Sequence, residues 1–205
     1  MSTSPARWLP WAAAAALYAG FLALGGAPAD DAPEARVGGP ARRLLGPFAR
    51  LAAEIQWIRF DRARLQGRGE LALAHAETAL GLDPGDARGW ELLAIHLALD
   101  LGTPELEPDP DRRRAWVSAG VAVAERGEKA SRDPAALAFV QGYLLHVKLE
   151  SDPALSWPGG AAAAWRETTA HYARAAELGY PRAEIAAGYA ADRAAGYAGG
   201  ADADG

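Results

Sequence analysis

Between Gly67 and Leu97 the chain reads GRGELALAHAETALGLDPGDARGWELLAIHL, with two apolar stripes at helical spacing on either side of an Asp83-Pro84-Gly85-Asp86 turn. Ahead of the turn Ala72, Ala76, Ala79 and Leu80 recur at i, i+4, i+7 and i+8, and after it Trp90, Leu93, Ala94 and Leu97 recur at i, i+3, i+4 and i+7. Each set marks one face of a helix. The residues are small before the turn and large after it. Two helices can therefore approach closely on the alanine face while Trp90 fills the space beside it.

This stretch resembles the junction between two tetratricopeptide (TPR) repeats. Gly67, Ala72, Ala79, Leu80, Leu82 and Pro84 stand at the mutual spacings of the second half of one unit, and Trp90, Leu93, Ala94 and Leu97 open the next. Downstream, Asp133-Pro134 repeats the turn, and Val140, Tyr143, Leu144 and Val147 repeat the opening, with a bulky Leu144 in the small slot. The segment HYARAAELGYPRAEIAAGYAADRAAG is similar to the Sel1-like branch of the same superfamily; Gly188 matches its glycine, and Ala187 replaces its leucine. The resemblance implies an all-α fold, a right-handed α-α superhelix of TPR-like hairpins with about seven helices. It also implies a groove lined by the first helix of each repeat: Arg88, Glu91, Ile95 and Leu99 from one, and Gln141, Leu145 and Lys148 from another. That mixed set lacks the dense Lys/Arg clamp used for acidic peptide tails, so the expected partner is a protein helix or extended segment.

Ahead of the repeats, residues 8–29 are apolar over about the length that crosses a bilayer. Trp8 and Trp11 stand at the start of this run, and Pro10 falls in its first helical turn. Arg7 precedes it and Asp30, Asp31 and Glu34 follow, which places the N-terminus inside and the rest of the chain outside. Residues 1–29 read as a single-pass inner-membrane anchor. The alternative is a cleaved signal segment with Ala27-Pro28-Ala29 as the processing site, leaving a secreted or periplasmic protein. Residues 30–46, rich in Pro, Gly, Asp and Arg without periodicity, read as a linker, residues 47–197 as the helical domain, and residues 198–205 as a disordered tail.

Within the domain the first helix is expected over Pro47–Gln66, with Leu51, Ile55, Ile58, Arg62 and Leu65 as its apolar stripe. Counting back from Pro84, the repeat's small slot falls on Phe60 and its Trp slot on Gln56, both departures from the pattern. The helix is thus a divergent half-repeat or one that docks the array against another body, and Trp57, Arg59, Asp61 and Arg62 form a polar-aromatic cluster that either faces a partner or pairs along the helix surface. Helices follow over Arg68–Leu82, Ala87–Leu101, Pro110–Ser131, Pro134 onward, Ala161–Leu178 and Arg182–Ala195. Asp86, Asp133 and the acidic run before Pro110 serve as helix starts. Two insertions, TPELEPDPDRRR and SDPALSWPGG, interrupt the repeat pattern, and Trp157 in the second is expected to fold back on the array.

The chemistry-bearing residues are dispersed. His75, His96, His146 and His171 fall one on each of four helices without an H-x3-H or H-E-x-x-H partner. Glu105, Glu107, Asp109 and Asp111 alternate, yet lack the mid-loop glycine and distal glutamate of a calcium loop. With no cysteine there is no thiolate site. No catalytic residue, metal or cofactor is expected. A net charge of −5 without a basic stripe argues against nucleic acid. The expected role is a non-enzymatic scaffold or adaptor in a bacterial envelope complex. The alternative is a secreted binding protein for a small molecule or glycan, using Trp157, Trp165 and neighbouring tyrosines.

Overall fold

The computed structural model describes residues 40–201, with side chains to residue 198. A short helix, Pro40–Leu45, and a 3-10 turn, Gly46–Phe48, lead into seven long helices. These are α1 (Ala49–Leu65), α2 (Gly69–Leu82), α3 (Ala87–Ile95, continued as a π-helix over His96–Leu101), α4 (Pro110–Ala130), α5 (Pro134–Ser151), α6 (Gly160–Glu177) and α7 (Ala183–Ala201). Each packs on the next along the chain, and α3 also touches α5. The apolar run 8–29 lies outside the described residues. None of the described helices is long and apolar enough to cross a membrane.

Local chemistry sets the helix starts. Asp86, Asp109 and Asp133 accept hydrogen bonds from the backbone N–H groups of Arg88 (3.2 Å), Asp111 (2.9 Å) and Ala136 (3.1 Å). Each thereby satisfies an N–H that the helix leaves open. Pro110 and Pro134 follow in the first turn, where their missing N–H does no harm. Gly67, at φ +69°, closes the α1–α2 turn in the left-handed region.

The alanine faces bring helices close. Ala72, Ala76 and Leu80 of α2 share a buried core with Phe60 and Ala63 of α1, and with Trp90, Leu93, Ala94 and Leu97 of α3. Trp90 is enclosed between α3 and α4, and its indole N–H donates to the Pro84 carbonyl at 2.9 Å. Gly127 of α4 makes room for it: a Cβ there would stand 2.5 Å from the Trp90 Cγ. The two Asp-Pro turns lie together. The Arg132 backbone N–H donates to the Gly85 carbonyl at 3.2 Å, and its guanidinium meets Asp83 at 3.1 Å.

Three boundaries differ from the sequence reading. Residues 40–45, within the expected linker, are helical; Ala41 and Leu45 pack against Ala53, Ala79 and Leu82. The helix expected from Pro47 begins at Ala49. The last helix continues to Ala201, past the expected tail boundary, because its alanines sustain helix through the glycines.

The larger difference lies in α1. Its buried face is Ala49, Ala53, Gln56, Phe60 and Ala63, not the expected aliphatic stripe. The two sets have the same spacing, displaced by two residues, and so occupy opposite faces of the helix. Leu51, Ile55, Ile58 and Leu65 are 61%, 44%, 65% and 80% exposed. Phe60 and Gln56, the departures from the repeat pattern, are both buried, and Gln56 pairs with His75 at 2.8 Å.

Candidate partner-binding surface

The seven residues assigned to a groove divide into two groups. On α3, Arg88 is exposed, while Glu91, Ile95 and Leu99 are half-buried. On α5, Gln141, Leu145 and Lys148 are all buried. Gln141 donates through Nε2 to Glu128 of α4 at 2.8 Å, Leu145 belongs to the main core, and Lys148 donates to the Gly102 carbonyl at 2.6 Å. The α5 side chains are thus committed to contacts inside the domain. The outward-facing part of the set is Arg88 and Glu91, with the edges of Ile95 and Leu99.

The two insertions meet at the C-terminal end of α5 because basic side chains stitch them together. Arg113 of α4 lies at the centre. Its Nε and Nη2 donate to Asp152 at 2.7 and 3.2 Å, and its Nη1 donates to the Glu107 and Pro108 carbonyls at 3.1 and 2.8 Å. Asp152 opens the second insertion, and the two carbonyls belong to the first. Arg114 adds a bond to the Ser156 carbonyl at 2.6 Å. Burial pushes the Lys148 ammonium below its ordinary value, while the Asp152 charge acts the other way. Trp157 is partly buried against the main core, as expected of a folded-back insertion.

A polar-aromatic cluster joins α5, α6 and α7. The His146 ring stacks on Tyr189 at 5.1 Å, and its Nδ1 lies 3.1 Å from the Tyr172 hydroxyl. The Tyr189 hydroxyl donates to Glu150 and, foremost among several causes, holds that carboxyl below its ordinary value. Burial raises the Tyr172 phenol. Trp165 is fully enclosed, with the Arg193 guanidinium 5.4 Å from its ring centre, so it offers no face to an external ligand. The neighbouring cleft between α6 and α7, about 380 Å³, is lined mainly by alanine with Arg166 and Thr169.

The histidines occupy four separate helical stretches. His75 pairs with Gln56, His96 with Asp100 at 2.9 Å, and His171 approaches Glu167 at 3.9 Å. Among the described residues no group of three or more His, Asp or Glu could hold a metal ion.

Sequence reasoning found the aliphatic stripe of α1 and the arginines beside it, but not that the stripe faces outward. Leu44 (69% exposed) and Phe48 (68%), in the lead-in ahead of α1, are exposed as well. Only the arginines interleaved with the stripe marked it as a surface.

By its architecture this is an all-helical domain of seven helices in sequential contact. Compared with known protein families, curated proteins and solved structures, the chain matches none.

Proposed function

We propose that the chain is a TPR-like, non-enzymatic scaffold, anchored by residues 1–29 in a bacterial inner membrane, with its helical domain on the extracytoplasmic side. There it would steady or recruit protein components of an envelope complex. The observation that carries the repeat reading is the pairing of the two Asp-Pro turns: Arg132 beside the second bonds both Asp83 and Gly85 of the first. Adjacent units of a helical array would meet in this way, with each burying its neighbour's apolar face. Burial of Trp90, Leu93, Ala94 and Leu97, the residues at the repeat opening, supports the same reading. The length and flanks of the apolar run support the anchor.

The proposed contact surface is the exposed edge of α3 around Arg88 and Glu91. Purification of the full chain from its own membranes in mild detergent should recover a protein in fixed stoichiometry. The charge swap R88E/E91R should release that protein without altering the helical content of the scaffold. Recovery of no stoichiometric protein would overturn the scaffold reading. Retention by the swapped variant would move the contact away from α3.

A further inference from the structure

We propose that the outward face of α1 docks on an anionic lipid surface, so that the domain lies against the bilayer along this helix. The inference extends the anchor reading, which supplies the nearby membrane, and its test separates the two.

The face has the two properties of an interfacial helix. It is apolar, with Leu51, Ile55, Ile58 and Leu65 exposed, and Leu44 and Phe48 are exposed just ahead of it. It is also basic. Seven of the chain's 21 lysines and arginines fall in residues 40–68, together with only two of its 26 acidic residues. This stretch carries +5, while the remainder of the chain carries −10. Arg42, Arg43, Arg50, Arg59 and Arg62 are exposed and form no ion pair among the described residues. Arg62 lies within the apolar stripe and Arg59 flanks it. A helix of this kind buries its apolar side chains at the headgroup boundary while its cations meet anionic lipid. The acidic remainder of the domain would be turned away from the same surface by its charge.

The chain's length agrees. Ten residues, Asp30 to Gly39, separate the apolar run from Pro40. Even fully extended they span only about 35 Å. If residues 8–29 cross the bilayer, the lead-in helix starts close to the membrane, and little further ordering is needed to lay α1 on it.

The absence of cysteine allows a single label at any chosen position. Full-length Ile58→Cys, and as a control Ile185→Cys on α7 (73% exposed at the native residue), would carry an environment-sensitive fluorophore. Both would be reconstituted in vesicles of phosphatidylcholine mixed with phosphatidylglycerol, and of phosphatidylcholine alone. In the anionic vesicles the label at position 58 should shift to the blue and be quenched by nitroxide-bearing lipid. The label at position 185 should remain open to iodide. Replacing Arg43, Arg59 and Arg62 with Gln should shift the docked–undocked balance about a hundredfold, abolishing the quenching.

Equal iodide access at both positions would overturn the proposal. Protection that follows protein density and ignores lipid charge would also overturn it, assigning the face to a second copy. Protection in native membranes but not in lipid vesicles would assign it to a protein partner, with the same consequence. A chain that resists carbonate extraction but leaves position 58 open refutes the docking and keeps the anchor. A chain released by carbonate whose label is quenched in the vesicles refutes the anchor and keeps the docking.

Discussion

Trp90→Ala should destabilise the domain by about 3–5 kcal/mol, the range for removing a large aromatic from a packed core. The indole is 3% exposed, lies against α4 and donates its N–H to the Pro84 carbonyl. The sharper test is its coupling to Gly127. A Cβ at position 127 would stand 2.5 Å from Trp90 Cγ, 2.6 Å from Trp90 Cβ and 2.8 Å from Leu137 Cδ1. Trp90 Cβ is fixed to the backbone, so Gly127→Ala must push α3 and α4 apart, at about 1–3 kcal/mol. Alanine's helical preference returns about 0.5–1 kcal/mol of this. The net cost should be about 1–2 kcal/mol. In a Trp90→Gly background, which removes that Cβ as well as the indole, only the tip of Leu137 remains in contact, and it can rotate away. Gly127→Ala should then stabilise that background by about 0.5–1 kcal/mol. The double-mutant cycle should therefore show a favourable coupling of about 2 kcal/mol, measured by urea unfolding followed by far-ultraviolet circular dichroism. Additivity within about 0.5 kcal/mol would refute the close approach of the two helices.

Three further outcomes follow from the packing and charge arrangement. Phe60→Ala should cost about 3–5 kcal/mol while Ile58→Ser changes stability by less than about 0.5 kcal/mol, as urea unfolding would show, because only the first side chain is enclosed. Arg113→Met should lower the melting temperature and open residues 102–109 and 152–159 together to limited proteolysis, since one guanidinium holds both insertions; cleavage of one insertion without the other would contradict that stitching. Acidification should weaken the fold in two stages in a thermal-melting series against pH. Burial holds His75 and His171 below 6.5, so their neutral forms favour the fold and stability falls as pH drops through 6.5 towards the lowered native values. Glu150 and Glu125, lowered chiefly by hydrogen bonds from Tyr189 and Lys129, contribute stability above pH 4.5 that is lost as pH falls through their native values, and Tyr189→Phe should shrink this second stage.

Periodicity and turn chemistry made much of the fold legible. Small faces at Ala72, Ala76 and Ala79, the Asp-Pro turns and the Asp caps placed the helices to within a few residues. The facing of α1 was not legible from period alone, because 49-53-56-60-63 and 51-55-58-62-65 are equally helical. The choice follows from what α2 presents: its alanines accept the alanine-rich side of α1, with Phe60 filling the space at one end. The larger aliphatic side chains consequently face outward. The groove assignment carried α5 positions over from a regular repeat. It could not anticipate that Arg113, with Lys148 and Asp152 some forty residues later, would bring both insertions together at the end of that helix. Trp165 likewise gave no sign of enclosure, because the residues around it come from α5 and α7.

The most direct measurement for the anchored-scaffold proposal is the intact mass of the full-length chain in each fraction of a bacterium producing it. The account predicts full mass in the membrane fraction, resistant to carbonate, with the helical domain open to protease added from the extracytoplasmic side. Full mass in the soluble cytosol would contradict the account, and a soluble envelope product beginning at Asp30 would replace the anchor with a cleaved signal.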